Sequence, residues 1–136
     1  MTTLNLSPSA AVTVRSATPE ALEVEAAYEP RSPAPPAHFH PAQAEHFEVL
    51  AGSITTLVDG SERVLAAGDA IDVPAGTVHQ MWNAGEEPAR MLWRTMPAGR
   101  TLAWFEALDA FQRDGDGAKF GAAFNEYREV FRLVES

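Results

Sequence analysis

Five turn signals crowd the middle of this chain and limit what it can fold into. Ala51-Gly52, Asp59-Gly60, Gly68-Asp69, Pro74-Ala75-Gly76 and Asn83-Ala84-Gly85 leave room only for short elements between them. Asp59-Gly60 is a strong two-residue hairpin signal. The stretches in between, Phe47 to Leu50, Ile54 to Val58, Glu62 to Leu65, Ala70 to Val73, Thr77 to Trp82 and Ala89 to Met96, read as strands. Short strands with turns at roughly 8–12-residue spacing predict an all-β sandwich or barrel.

The flanks differ from this middle, and the chain divides into residues 1–36, 37–97 and 99–136 within a single domain spanning 1–136. A second core in 136 residues would be marginal. In the first zone Val12 with Val14, and Leu22 with Val24, alternate with polar neighbours and predict half-buried strands. Four prolines between Pro30 and Pro36 forbid helix and central strand, so this segment should lie as an edge or loop against a sheet. In the third zone Leu102, Phe105, Leu108 and Phe111 fit one helix face. Asp114-Gly115-Asp116-Gly117 supplies a glycine stop and a capping aspartate. Phe120, Phe124, Tyr127, Phe131 and Val134 then predict a second helix with an aromatic stripe. Such a stripe would pack on the barrel exterior, form a subunit contact or close over a site.

Chemistry concentrates in three of the four histidines. In His38-Phe39-His40 the two imidazoles sit two residues apart, on one face of a strand. Glu45 follows after space for a tight bend, and His79 comes just beyond the Pro74-Ala75-Gly76 turn. Three imidazoles and a carboxylate converging in a barrel suit a divalent transition metal. Four protein ligands on an octahedral ion leave two positions open, a catalytic arrangement. With no cysteine in the chain, thiolate ligation, thiol catalysis and a disulfide scaffold are excluded.

These residues fall into a pattern that resembles the cupins, specifically the small single-domain members. His38, His40, Glu45 and Gly52 satisfy the spacing of the first cupin motif. Gly68, Pro74, Gly76, His79 and Asn83 satisfy the second. The first motif often opens with a glycine six residues before its first histidine, where this chain has Ser32. The resemblance implies a double-stranded β-helix (jelly-roll) barrel followed by two C-terminal α-helices. It implies metal ligation by His38, His40, Glu45 and His79, with Glu45 also the candidate catalytic group. The implied cofactor is one divalent transition metal per chain, Fe(II) first, with Zn, Mn, Ni or Cu as alternatives. The implied function is a metal-dependent enzyme acting on a small organic molecule, either a dioxygenase or a Lewis-acid isomerase or cyclase. A non-catalytic small-molecule-binding or sensing cupin is the alternative.

Alternation assigns the remaining side chains. Phe47 and Val49 share the face of Glu45 and should line the pocket, as should Met81 with His79. Trp93 is a further pocket candidate on the last strand. Whether Met91 and Trp93, or Leu92 and Arg94, face inward stays open, and an inward Arg94 would anchor a carboxylate. His46 should point outward as a surface or interface residue.

Asp plus Glu outnumber Lys plus Arg by 19 to 10, a net charge of −9, so a phosphate backbone or anionic membrane would be repelled. The expected partners are therefore a small-molecule substrate or ligand, without nucleic acid or membrane. The N-terminal residues show no basic segment or apolar run of signal type, which favours a cytoplasmic location. A homodimer is expected, because small barrels expose edge strands. The N-terminal strands and the Phe120–Val134 stripe are its candidate surfaces.

Overall fold

The structure is a computed structural model describing residues 2–134. Strands β1 (Thr3–Ser7), β2 (Ala10–Ala17), β3 (Leu22–Tyr28), β4 (His38–Phe39), β5 (Ala44–Ala51) and β6 (Ser53–Val58) come first. They are followed by β7 (Ser61–Ala66), β8 (Ala70–Val73), β9 (His79–Trp82) and β10 (Ala89–Met96). Helices α1 (Thr101–Asp114) and α2 (Gly117–Glu126) and a short strand β11 (Arg132–Leu133) complete the chain. The strands form two antiparallel sheets, ordered β1-β2-β3-β10-β5-β8 and β11-β4-β9-β6-β7. This is the jelly-roll barrel with two helices that the motifs imply.

Alternation along the strands decides what lies between the sheets. Phe47, Val49, Ile54, Leu65, Val73, Met81, Ala89 and Met91 are buried together and draw on both sheets. Met91 and Trp93 face inward. Arg94 faces outward, where its guanidinium donates to Glu23 Oε1 at 2.7 Å. The first sheet is the wider one, and its overhang needs another cover. Leu4, Val12, Leu22, Val24 and Ala26 bury instead against Trp104, Phe105, Ala123 and Val130. The helices therefore close the open side of the barrel.

Local chemistry sets the helix limits. Gly115 takes the left-handed conformation (φ 66°) and its N–H donates to Phe111 O at 2.8 Å, ending α1. Asp116 then accepts from the N–H groups of Ala118 and Lys119, starting α2. The aromatic stripe does not stay on one helix. Helix α2 stops at Glu126, residues 127–130 turn, and β11 pairs with β4 through Arg132↔Phe39 and Leu133↔His38. The cause is a competing set of partners. Arg100 donates to the Glu126 carbonyl and to the Glu126 and Glu129 carboxylates, and lies 4.8 Å over the Tyr127 ring. Beyond that anchor, Val134 N–H donates to Ala37 O at 3.1 Å. Phe120, Phe124 and Phe131 are half-buried and line the cavity beside the barrel.

The proline-rich segment runs beside the second sheet without joining it. Its Ser32 N–H donates to Asn83 O at 2.8 Å, and Asn83 N–H donates to Ser32 Oγ at 2.9 Å. Buried Asn83 also donates to Glu87 O and accepts from Gly85 N–H. Asn83 thus satisfies backbone groups at a strand end.

Gly52 has φ 74°, and a Cβ there would stand 2.5 Å from Pro88 O. Gly60 has φ 80° but open space around it. Gly60→Ala should cost only the left-handed penalty of roughly 1–2 kcal/mol. Gly52→Ala adds a backbone clash and should show a clearly lower urea midpoint than Gly60→Ala.

Candidate metal centre

Three imidazoles meet on the inner face of the second sheet. The register pairs His38 directly with His79 across β4 and β9. His40 lies just past the end of β4. One ligand nitrogen from each of the three histidines falls within 4.8 Å of the other two. Glu45 enters from the facing sheet on β5 and is almost completely buried.

The orientation of each ring is fixed by a backbone carbonyl. His38 Nδ1 lies 3.0 Å from Pro36 O, His79 Nδ1 lies 2.9 Å from Thr77 O, and His40 Nδ1 lies 2.6 Å from Val130 O. A carbonyl oxygen only accepts, so each Nδ1 carries the proton and donates it. In the neutral ring this leaves the Nε2 lone pair free to ligate.

The opposite side of the cluster is unpaired. Glu45 Oε1 lies 3.1 Å from His40 Nε2 and 3.0 Å from His79 Nε2. Yet Glu45 Oε1 and His40 Nε2 are both buried without completing a hydrogen bond. Buried lone pairs facing one another at this distance need a positive charge between them. Ligand bonds of about 2.1 Å at right angles set neighbouring donor atoms about 3.0 Å apart. The two separations from Glu45 Oε1 fit an ion shared by His40, His79 and Glu45, with His38 grouped beside them as the third imidazole. The other oxygen of Glu45 is already used: Trp93 Nε1–H donates to Oε2 at 2.7 Å. Trp93 therefore aims the carboxylate as well as lining the cavity.

Electrostatics divides the cluster. Burial lowers the pKa of His38 to about 3, helped by the neighbouring His79 and His40, so this ring is neutral at pH 7. Burial also pulls His40 down, but the Glu45 carboxylate and the Val130 carbonyl outweigh it, leaving His40 above its ordinary value. For Glu45, burial pushes upward and is overcome by His40 and His79, which hold the carboxyl well below the usual range. Glu45 is thus an anion. Burial first, then the charge on Glu45, raises the Tyr28 phenol well above its ordinary range, so it stays protonated.

A cavity of about 340 Å³ opens from the imidazoles. Phe47, Met81 and Trp93 line it, as do His38, His40 and His79. Val49 shares their face but packs in the core between the sheets, deeper along β5. His46 points outward to Asp72, with Nδ1 2.7 Å from Oδ1. The C-terminal segment forms much of the remaining wall. Phe131 stacks on the His38 ring at 4.7 Å and 23°, and on Trp104 at 4.9 Å. The contribution of Val130 and Phe131 has no signal in the sequence motifs, because one is a backbone carbonyl and the other belongs to a helical-looking stripe.

This double-sheet barrel with three imidazoles and one carboxylate inside is the architecture of a known class. The chain matches the Cupin domain family over residues 24–94, a little more than half its length, and belongs to that family. Among curated proteins it is similar to the tetracenomycin polyketide synthase protein TcmJ of Streptomyces glaucescens, 32% identical over 60 residues. That match covers 44% of this chain and 40% of TcmJ. It is also similar to germin-like protein 5-1 of Oryza sativa subsp. japonica, 40% identical over 63 residues, covering 41% of this chain and 27% of the relative. The chain thus spans less than half the length of these curated relatives. Among solved structures, KdgF from Halomonas sp. superimposes with a TM-score of 0.68 at 19% identity, covering 75% of this chain and 91% of that one. This last likeness speaks for the fold.

Two outcomes follow from the geometry. Trp93→Phe removes the bond to Glu45 Oε2 together with part of the cavity wall, and should weaken metal affinity by roughly 10–100-fold, read by competition with a chelating dye. The raised His40 makes its proton compete with the ion. In metal-free protein the stabilisation from the His40–Glu45 pair is fully present below the ordinary value of 6.5 and fades as pH rises through the raised one. Added metal stabilises only the deprotonated site, so the metal-induced increase in Tm should grow as pH rises from 6 to 8.

Proposed function

We propose that this cupin is a metal-dependent enzyme acting on a small organic molecule. The reading is carried by one observation: buried, mutually unpaired donor atoms of His40 and Glu45 stand beside His38 and His79 at one end of a cavity. A divalent first-row ion held there, Fe(II) first, would supply either dioxygen chemistry or Lewis-acid polarisation of a carbonyl or enol oxygen.

The chain's own residues do the rest. Glu45 gives the site its negative charge, and its depressed pKa suits an anionic ligand more than a resting acid. His38, the half-buried member of the three, stacks on the ring of Phe131. The helices and residues 127–133 exclude bulk water from that face, which strengthens every electrostatic contact inside. Similarity to TcmJ, named as a polyketide synthase protein, supports an enzyme. We propose that the expected homodimer contact lies on the N-terminal edge strand β1, since Phe120, Phe124 and Phe131 of the aromatic stripe line the cavity.

Elemental analysis of protein purified without a metal-affinity tag tests the reading, with His79→Ala as control. About one equivalent of metal per chain, lost in the control, is the expected result. Iron would direct assays to an oxygen electrode, and zinc, nickel or manganese to isomerisation and cyclisation. Absence of metal after reconstitution with each ion would overturn the enzyme reading and leave a ligand-binding barrel.

A further inference from the structure

The cavity wall is uniform in a way that the metal donors do not require. Phe47, Trp93, Trp104, Phe105, Phe124 and Phe131 supply aromatic surface around it. No Lys or Arg among the described residues lines it. The arginines that might have reached in are held outside: Arg94 by Glu23, Arg90 and Arg15 by Glu25, and Arg100 by Glu126 and Glu129. Apart from the imidazoles and two indole nitrogens, the polar side chains on the wall are Ser7 and Tyr28. No hydrogen bond joins the Tyr28 hydroxyl to another described residue.

Without an ion at the imidazole pole, a carboxylate or phosphate entering the cavity would lose its hydration and gain no cationic partner from the wall. A flat apolar ring would instead exchange water for aromatic contact. A volume of about 340 Å³ sits near the lower end of the range for small-molecule pockets and fits roughly two or three fused rings.

We propose that the substrate is an uncharged, flat, fused-ring aromatic molecule with a ketone or phenol oxygen. Its oxygen end points to the His38–His40–His79 pole and its rings lie against the Trp and Phe wall. The inference deepens the metalloenzyme reading and rests on it for the direction of the ligand, while the wall itself is tested without metal.

Metal-free protein is titrated with 2-acetyl-1-naphthol and, separately, with 1-hydroxy-2-naphthoate, which places a carboxylate on the same rings. Quenching of Trp93 and Trp104 fluorescence reports binding, and calorimetry confirms it. The neutral ketone should bind saturably and at least about tenfold more tightly than the carboxylate. Phe124→Arg, checked for a native circular dichroism spectrum, should narrow or invert that ratio. Equal or tighter binding of the carboxylate to the unsubstituted protein, or no saturable quenching by the ketone, would overturn the assignment. Metal content is measured on parallel samples. Metal uptake without ketone binding overturns this substrate class and leaves the metal centre standing. Ketone binding without metal uptake supports the aromatic site and removes the metalloenzyme reading.

Discussion

Three hydrogen bonds from imidazole Nδ1 to backbone carbonyls hold the site in place. They fix the tautomer, the ring plane and the direction of the Nε2 lone pair together. Two of the three are local. His38 and His79 each use the carbonyl two residues earlier, at Pro36 and Thr77. Their orientation is therefore built into the chain on either side of short strands. His40 instead takes its acceptor from Val130, ninety residues away. One of the two imidazoles that face Glu45 is thus oriented by a carbonyl that follows the second helix.

That dependence gives the C-terminal extension a role beyond covering apolar surface. Arg100, at the start of α1, grips the end of α2 and the turn after it through two carboxylates and a carbonyl. The turn delivers Val130 to His40 and Phe131 to His38 within two consecutive residues. Strand β11 then locks the segment onto β4, which carries His38 itself. Exposed ion pairs such as those of Arg100 contribute little individually. Here their effect lies in where they stop the helix, since one more turn of α2 would carry Val130 away from the imidazole.

Much of the barrel and the donor cluster was legible because both are set by short-range rules. Alternation placed Met81 beside His79 and Phe47 beside Glu45, and the turn residues bounded the strands. Depth along a strand is a different quantity. Val49 has the parity of Phe47, yet lies farther from the imidazoles and packs between the sheets. Long-range partners were also invisible. The aromatic repeat from Phe120 to Val134 has helical spacing throughout, but tertiary contacts at Arg100 and β4 override its second half. Ser32 illustrates the reverse case, where a departure from the motif is absorbed by a hydroxyl that exchanges hydrogen bonds with Asn83.

Charge arithmetic connects the donor cluster to the wall. A divalent ion held by three neutral imidazoles and one carboxylate would keep a single uncompensated positive charge. In a solvent-poor aromatic cavity that residual charge is expensive unless a ligand atom meets it. Tyr28 cannot, because burial and Glu45 keep its phenol protonated. No side chain on the wall among the described residues supplies a second anion. The proposed complement is a molecule that would enter uncharged and could place one electron-rich or ionisable oxygen at the pole. A dianion would overshoot neutrality and find no cation on the wall, whereas a pure hydrocarbon would leave the charge unmet. Among the described residues, Glu45 carries the buried negative charge at the site and the aromatic wall adds none.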